Sequence, residues 1–194
     1  MIRTFIAFEL QEETTLSEIR NFTNRLKQNQ KKIKIVKLDN IHLTVKFLGN
    51  IQEDLVPKIY DILEREVNTK ILHNQEHMFS VKGVGHYRNY EIIWVGLEGD
   101  FELLQTVKDT VEEKLNQQLK IKKDKRRKFT PHITIARLKK NKKDYKTFDS
   151  FKETIKESRN RQFGECALNE IVLKKSDLTP KGPIYTTFNG KEFI

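Results

Sequence analysis

His42-Leu43-Thr44-Val45-Lys46-Phe47-Leu48 and, ninety positions further on, His132-Ile133-Thr134-Ile135-Ala136-Arg137-Leu138 decide how the chain is read. Each is a short apolar run with a His and a Thr two residues apart. Successive side chains of a strand point to opposite faces. His42 and Thr44 therefore share one polar face, while Leu43, Val45 and Phe47 point to a core. In the second copy, His132 and Thr134 are expected out and Ile133 and Ile135 in. One His-x-Thr pair is nearly worthless as a pattern, because a lone strand histidine is most often structural. Two copies at equivalent points of a repeat point to an active site.

The same offset relates other elements. Leu16, Ile19, Phe22 and Leu26 fall at helical spacing over 11–30, and Leu104, Val107, Val111 and Leu115 do so over 101–119. Strands are expected at 2–8, 33–37, 41–48, 78–85, 91–97, 132–138, 167–173 and 184–188, with further helices at 53–67 and 144–158. The pattern predicts an α+β fold of two pseudo-symmetric lobes, mainly antiparallel sheet with helices packed outside and a central cleft. One domain over 1–194 is expected, with pseudo-repeats of about 1–90 and 91–194. A twofold between such repeats brings both copies of the motif to one cleft.

Composition sets outer bounds. The 194 residues, 37% hydrophobic with 12 Phe, can bury a core without disulfides and exclude a fully disordered chain. No apolar run approaches the ~20 residues of a bilayer span, so no membrane partner is expected. The N-terminal stretch does not read as a secretory signal, and Cys166 stands alone, which rules out an intramolecular disulfide. The expectation is a cytoplasmic monomer. The net charge of +10 is concentrated: residues 120–146 carry 13 Lys and Arg against Asp124 and Asp144, so the remainder is close to neutral. Such a field favours a polyanionic partner, although a solvated Lys-rich loop explains the run equally well.

Two imidazoles across a cleft have a definite chemistry. With an ordinary pKa near ~6.5, one acts as base while the other acts as acid. Together they activate a nucleophile and protonate a leaving group in one step. Two Thr hydroxyls donate to the oxygens of the anion that develops between them. The array suits in-line displacement at phosphorus, above all at a strained cyclic phosphodiester. No carboxylate-rich metal set stands beside either motif.

The chain from His42 to Gly49 and from Phe129 to Arg137 resembles the paired H-x-T-x motifs of the 2H phosphoesterase superfamily. The resemblance extends to Arg3-Thr4-Phe5-Ile6-Ala7-Phe8, to Ile92-Ile93-Trp94-Val95-Gly96, and to the stretch from Lys175 to Tyr185. Together these are similar to the RNA 2′,3′-cyclic phosphodiesterase branch, formerly named 2′-5′ RNA ligase. The resemblance implies hydrolysis of a terminal RNA 2′,3′-cyclic phosphate to a 2′-phosphate with no metal or other cofactor. It also implies a reverse joining of RNA ends through a 2′-5′ linkage. The implied partner is RNA with a 2′,3′-cyclic phosphate end, such as a tRNA fragment. Carried over, His132 takes a proton from water as acceptor, His42 gives one to the departing 3′-oxygen as donor, and Thr44 and Thr134 hold the phosphate. The near-symmetry leaves the reverse assignment open. The family's second motif has a basic residue five past its His, here Arg137, which strict alternation places on the wrong face unless the strand bulges. Lys46 lies on the His42 face by period two and is a second substrate-binding candidate.

Other residues carry blander readings. His73 and His77 are four apart but lack the Glu that a zinc hydrolase needs, so metal binding there is disfavoured. His86 and Tyr87 fit an exposed turn better than a base-stacking pair. Strand context favours a core position for Trp94, Tyr185 is ambiguous, and Cys166 reads as a small buried residue. Two other functions compete with the enzyme reading. One is a non-catalytic RNA-binding module that uses 120–146; the other is a phosphodiesterase of small cyclic phosphates.

Overall fold

The computed structural model describes residues 1–125, 128–180 and 182–189. Arg126 and Arg127 of the basic run and Lys181 of the C-terminal motif lie outside the described residues. The chain forms β1 (Ile2–Glu9), α1 (Glu13–Asn29), β2 (Lys34–Ile35), β3 (His42–Ile51), α2 (Val56–Ile62), β4 (His77–Tyr87), β5 (Ile92–Glu98), α3 (Phe101–Leu119), β6 (Ile133–Arg137), α4 (Phe148–Glu157), β7 (Gln162–Leu168), β8 (Val172–Thr179) and β9 (Gly182–Thr187). The last turns of α2 widen into a π-helical coil over Leu63–Thr69. The expected strand at 167–173 is in fact the end of β7 and the start of β8, separated by a reversal at Asn169–Ile171 that holds neither Gly nor Pro.

All pairings are antiparallel, in the order β7-β4-β5-β6-β3-β1-β8-β9, with β2 added to β6. The α+β class is as expected, a curled antiparallel sheet with the helices on its outer side. β3 and β6 meet at the middle of the sheet through one residue pair, Leu43 opposite Ile133. These two residues are themselves ninety positions apart, so a pseudo-twofold passes between them. The spatial lobes exchange elements between the sequence repeats. α1 packs on β6 and β7, whereas α3, its counterpart, packs on β3. α2 lies on α3 and β8, and α4 on α1 and β4.

Sequence explains the helices locally. α3 starts at Asp100, whose carboxylate accepts the Leu103 N–H at 2.9 Å, and ends where Lys120 turns left-handed at φ 58°. Its apolar stripe of Leu104, Val107, Val111 and Leu115 is fully buried. The matching stripe of α1, Ile19, Phe22 and Leu26, is buried as well, with the Phe22 ring edge-on to Phe163 at 5.6 Å. Each such side chain contributes roughly 1.5–3 kcal/mol. One contiguous core therefore backs both halves of the sheet, and the opposite, curled-in face is left for chemistry.

Candidate active site

The Leu43–Ile133 register fixes the geometry of both motifs. In an antiparallel ladder with 43 opposite 133, His42 stands across from Thr134 and Thr44 across from His132. The two histidines are diagonal neighbours on one face, roughly 7–8 Å apart at the backbone in a regular ladder. Leu43 and Ile133 are fully buried beneath them, while His42, Thr44, His132 and Thr134 are half-buried on the concave side.

Both imidazoles are held in the same way. His42 Nδ1 lies 2.7 Å from the Asn40 carbonyl, and His132 Nδ1 lies 2.9 Å from the Thr130 carbonyl. A carbonyl oxygen only accepts, so each Nδ1 carries a hydrogen and donates it. Each Nε2 is then left as the chemically available nitrogen. A tyrosine ring braces each imidazole edge-on: Tyr185 stands 5.4 Å from His42, and Tyr87 stands 5.0 Å from His132, both near 87°. Phe5 adds a contact to His42 at 4.8 Å, and Trp94 one to His132 at 6.2 Å. Burial pushes the His42 imidazole down from 6.5 to about 4. The Asn40 hydrogen bond and Glu9 work against that shift, and the positive charges of Lys174 and Arg137 add to it.

A β-bulge recurs at equivalent points of both central strands. Ala7 pairs with Thr44 but Ile6 pairs with Lys46, which leaves Val45 as the extra residue. Likewise Trp94 pairs with Thr134 but Ile93 pairs with Ala136, which leaves Ile135 as the extra residue. Each bulge turns two successive side chains inward and reverses the alternation beyond it. Arg137 consequently emerges on the concave face, close enough for its charge to act on His42 and Tyr185.

The same bulge overturns the expectation for Lys46. That side chain is 2% exposed and points away from the histidines. Its Nζ donates to both Glu112 oxygens at 2.9 and 2.8 Å, to the Lys122 carbonyl at 3.0 Å and to Asp124 at 3.1 Å. Lys108 joins the cluster through Glu112 and Asp124. Lys46 is thus a buried structural cation rather than a phosphate ligand. Phe47, expected in the core, is correspondingly 65% exposed on the site side, 6.1 Å from the Phe5 ring. Period-two reading fails here because it has no way to count an extra residue.

The remaining candidates also find definite places. Trp94 is not a core residue: it lies across Gly85, where even a Cβ would run into the indole, and beside Tyr87 on the concave face. His86 stacks on Tyr90 at 3.6 Å, away from His132. His77 Nε2 bonds the Leu72 carbonyl at 3.1 Å, and His73 sits in a turn with positive φ. No cluster of three or more His, Cys, Asp or Glu side chains forms among the described residues. Cys166 is buried and its thiol is pushed up to about 12 by burial.

Sequence reasoning missed Glu9 and Lys174. Glu9 is the register partner of His42, and its carboxylate accepts from Lys174 and from Thr187 Oγ1, the latter at 2.6 Å. Burial alone raises the Glu9 carboxyl, but these two partners outweigh it and hold the group below its ordinary value. No local pattern signals the pair, because its members are 165 residues apart.

Comparison with known proteins agrees with this fold. The AKAP7 2'5' RNA ligase-like domain model matches residues 4–191. The chain is 34% identical over 189 residues to an RNA 2′,3′-cyclic phosphodiesterase of Methanocaldococcus jannaschii, covering 95% of this chain and 96% of the relative. It is 32% identical over 193 residues to the protein of the same name from Aquifex aeolicus, covering 96% and 94%. The crystal structure of TT0787 of Thermus thermophilus superposes with a TM-score of 0.71 at 25% identity, over 97% of this chain and 96% of that one. E. coli LigT complexed with 3′-AMP shares the fold at 0.65 and 18% identity, over 97% and 95%. A match spanning nearly every residue that builds the two-histidine face leaves one conclusion: the chain belongs to the AKAP7 2'5' RNA ligase-like domain family, within the 2H phosphoesterases.

Proposed function

We propose that this protein hydrolyses the terminal 2′,3′-cyclic phosphate of RNA to a 2′-phosphomonoester by acid/base catalysis between His42 and His132. The observation that carries the proposal is the doubled tautomer lock, Nδ1 to a backbone carbonyl on both rings, which leaves two Nε2 atoms on one face. The relatives named RNA 2′,3′-cyclic phosphodiesterase support the choice of substrate.

Water attacks phosphorus in line with the 3′-oxygen. His132 Nε2 takes the water's proton, the P–O3′ bond breaks, and His42 Nε2 delivers a proton to O3′. Thr44 and Thr134 donate to the non-bridging oxygens, and Arg137 offsets their charge. An imidazole lowered to about 4 is uncharged at neutral pH in the empty site. The donor role therefore requires the bound phosphodiester anion to raise the pKa of His42, as an adjacent negative charge does. With a 5′-hydroxyl of a second RNA end in place of water, the same steps form the P–O5′ bond, break the P–O3′ bond and leave a 2′-5′ linkage.

The test is to incubate the protein in EDTA with an oligonucleotide ending in 2′,3′-cyclic phosphate and to identify the product end. A 2′-phosphate is expected. A 3′-phosphate product, or turnover that survives both His42→Ala and His132→Ala, overturns the proposal.

A further inference from the structure

Resting on that function, we infer that a groove beside Phe47 binds the nucleotide immediately upstream of the cyclic phosphate. Its base would lie against Phe47, and its phosphate would sit between Lys122 and Lys123. The groove holds about 630 Å³. Its lining includes Phe47, the apolar Leu55 and Ile121, the cations Lys122 and Lys123, and Asp124.

Three observations converge on a single-stranded polyanion as the occupant. The groove lies near the site, since its lining residue Phe47 packs at 6.1 Å on Phe5, whose ring in turn lies 4.8 Å from His42. Its charge is complementary: Lys122 and Lys123 are exposed and form no ion pair among the described residues. The neighbouring Asp124 is instead turned to Lys46 and Lys108, whose hydrogen bonds outweigh the effect of burial and hold its carboxyl below the ordinary value. Finally, the lysines stand on a fixed base. Lys46, buried under the sheet, grips the Lys122 carbonyl, and Glu112 accepts the Asp124 N–H at 3.0 Å. A flat aromatic with paired cations is the usual platform for single-stranded nucleic acid, where stacking tolerates any base.

The experiment compares a nucleoside 2′,3′-cyclic monophosphate with a tetranucleotide bearing the same end, for wild type and for the K122E/K123E variant. The variant is expected to raise the tetranucleotide KM at least about tenfold and to leave the mononucleotide KM within about twofold. It should also flatten the salt dependence of tetranucleotide binding by about one log unit per log unit of salt. Phe47→Ala should weaken the tetranucleotide by about tenfold at unchanged salt slope. Equal effects on both substrates, or none on either, overturn the groove. If wild type turns over neither substrate, the cyclic-phosphate function falls by itself. Fluorescence anisotropy of a 5′-labelled tetranucleotide ending in 2′-phosphate then decides the groove by the same two variants.

Discussion

Residue 46 is a buried lysine, and residue 136, its counterpart ninety positions on, is a buried alanine. Both follow the extra residue of the same bulge, yet the two halves of the molecule close that defect with different chemistry. On β6, the Ile135 carbonyl freed by the bulge accepts the Val36 N–H at 2.9 Å, so β2 seals the edge with main chain. On β3, the Val45 carbonyl accepts Lys108 Nζ at 3.1 Å, and the edge is sealed by side chains from α3. The helix position facing this region is Glu112 in α3, whereas the ninety-residue offset gives Phe22 in α1. One half thus packs apolar groups where the other buries an ion cluster. The segment that corresponds to β2 in the ion-cluster half is the basic loop, which forms no ladder among the described residues and is tied to the ion cluster through Asp124 and the Lys122 carbonyl. Near-symmetry supplies paired histidines, and the departures from it make the two sides of the cleft different.

The difference with the largest consequence is between the two histidines themselves. His42 is the one lowered by burial, and a donor role there makes the leaving group decisive. His42→Ala should cost about 10²–10⁴ in kcat on an RNA cyclic phosphate. On a p-nitrophenyl phosphodiester, which needs no proton on departure, most of that loss should vanish. His132→Ala should impair both substrates. If the rescue appears with His132→Ala instead, the acid and base are exchanged.

The ion cluster comes next. Glu112→Ala strands Lys46 and Lys108 in the interior with Asp124 as their remaining carboxylate and should cost ~3–5 kcal/mol in urea unfolding. Phe22→Ala should cost a similar ~3–5 kcal/mol through a cavity. Copying one half into the other separates these causes. In a Lys46→Ala/Glu112→Phe double variant, the loss should fall below the sum of the single losses by about 1–3 kcal/mol, since the two residues act as a unit. Additive losses would mean that the pair does not act as a unit.

Burial of His42 also makes stability depend on pH. Its folded pKa is depressed from 6.5 to about 4, so the unfolded chain binds the proton more readily. Above 6.5 neither state binds the proton and the group contributes nothing; as pH falls from 6.5 to about 4 the unfolded chain takes the proton first and the fold loses stability. That loss amounts to at most ~3 kcal/mol by about pH 4. Wild type should therefore lose more unfolding free energy between pH 7 and 4 than His42→Gln does. Parallel curves would show that the imidazole is solvated in the folded protein.

Much of this organisation was legible in the sequence. The spacing of Leu104, Val107, Val111 and Leu115 gave α3 its correct ends, because helix periodicity is local and Asp100 caps it. The doubled His-x-Thr motif marked both central strands and put His42, Thr44, His132 and Thr134 on one face, because each motif ends before its bulge. Past residue 45 the alternation misled: Lys46 and Phe47 exchanged places, and Arg137 reached the cleft only through the kind of bulge its position required. The braces of the site, Tyr185 and Phe5 on His42, Tyr87 and Trp94 on His132, and the Glu9–Lys174 pair, come from strand partners far away in sequence. Their positions are set by pairing order and register, which no window of residues encodes.

The counterpart of Arg137 is Phe47, so a cation faces a ring across the cleft, and removing the cation tests whether that asymmetry reaches the chemistry. Arg137 lowers the pKa of His42 by its charge, after burial and Lys174. Arg137→Ala should therefore move the His42 titration upward from about 4, as read from its imidazole carbon-bound protons by NMR. On the proposed mechanism Arg137 binds the phosphate, so the same variant should raise KM for the cyclic phosphate about 10- to 100-fold with a smaller change in kcat. Phe47→Ala should leave the His42 titration in place, since a neutral ring carries no charge to remove. If Arg137→Ala raises KM without moving the His42 titration, then the guanidinium binds substrate but lies too far from His42 to help keep that imidazole uncharged in the empty site.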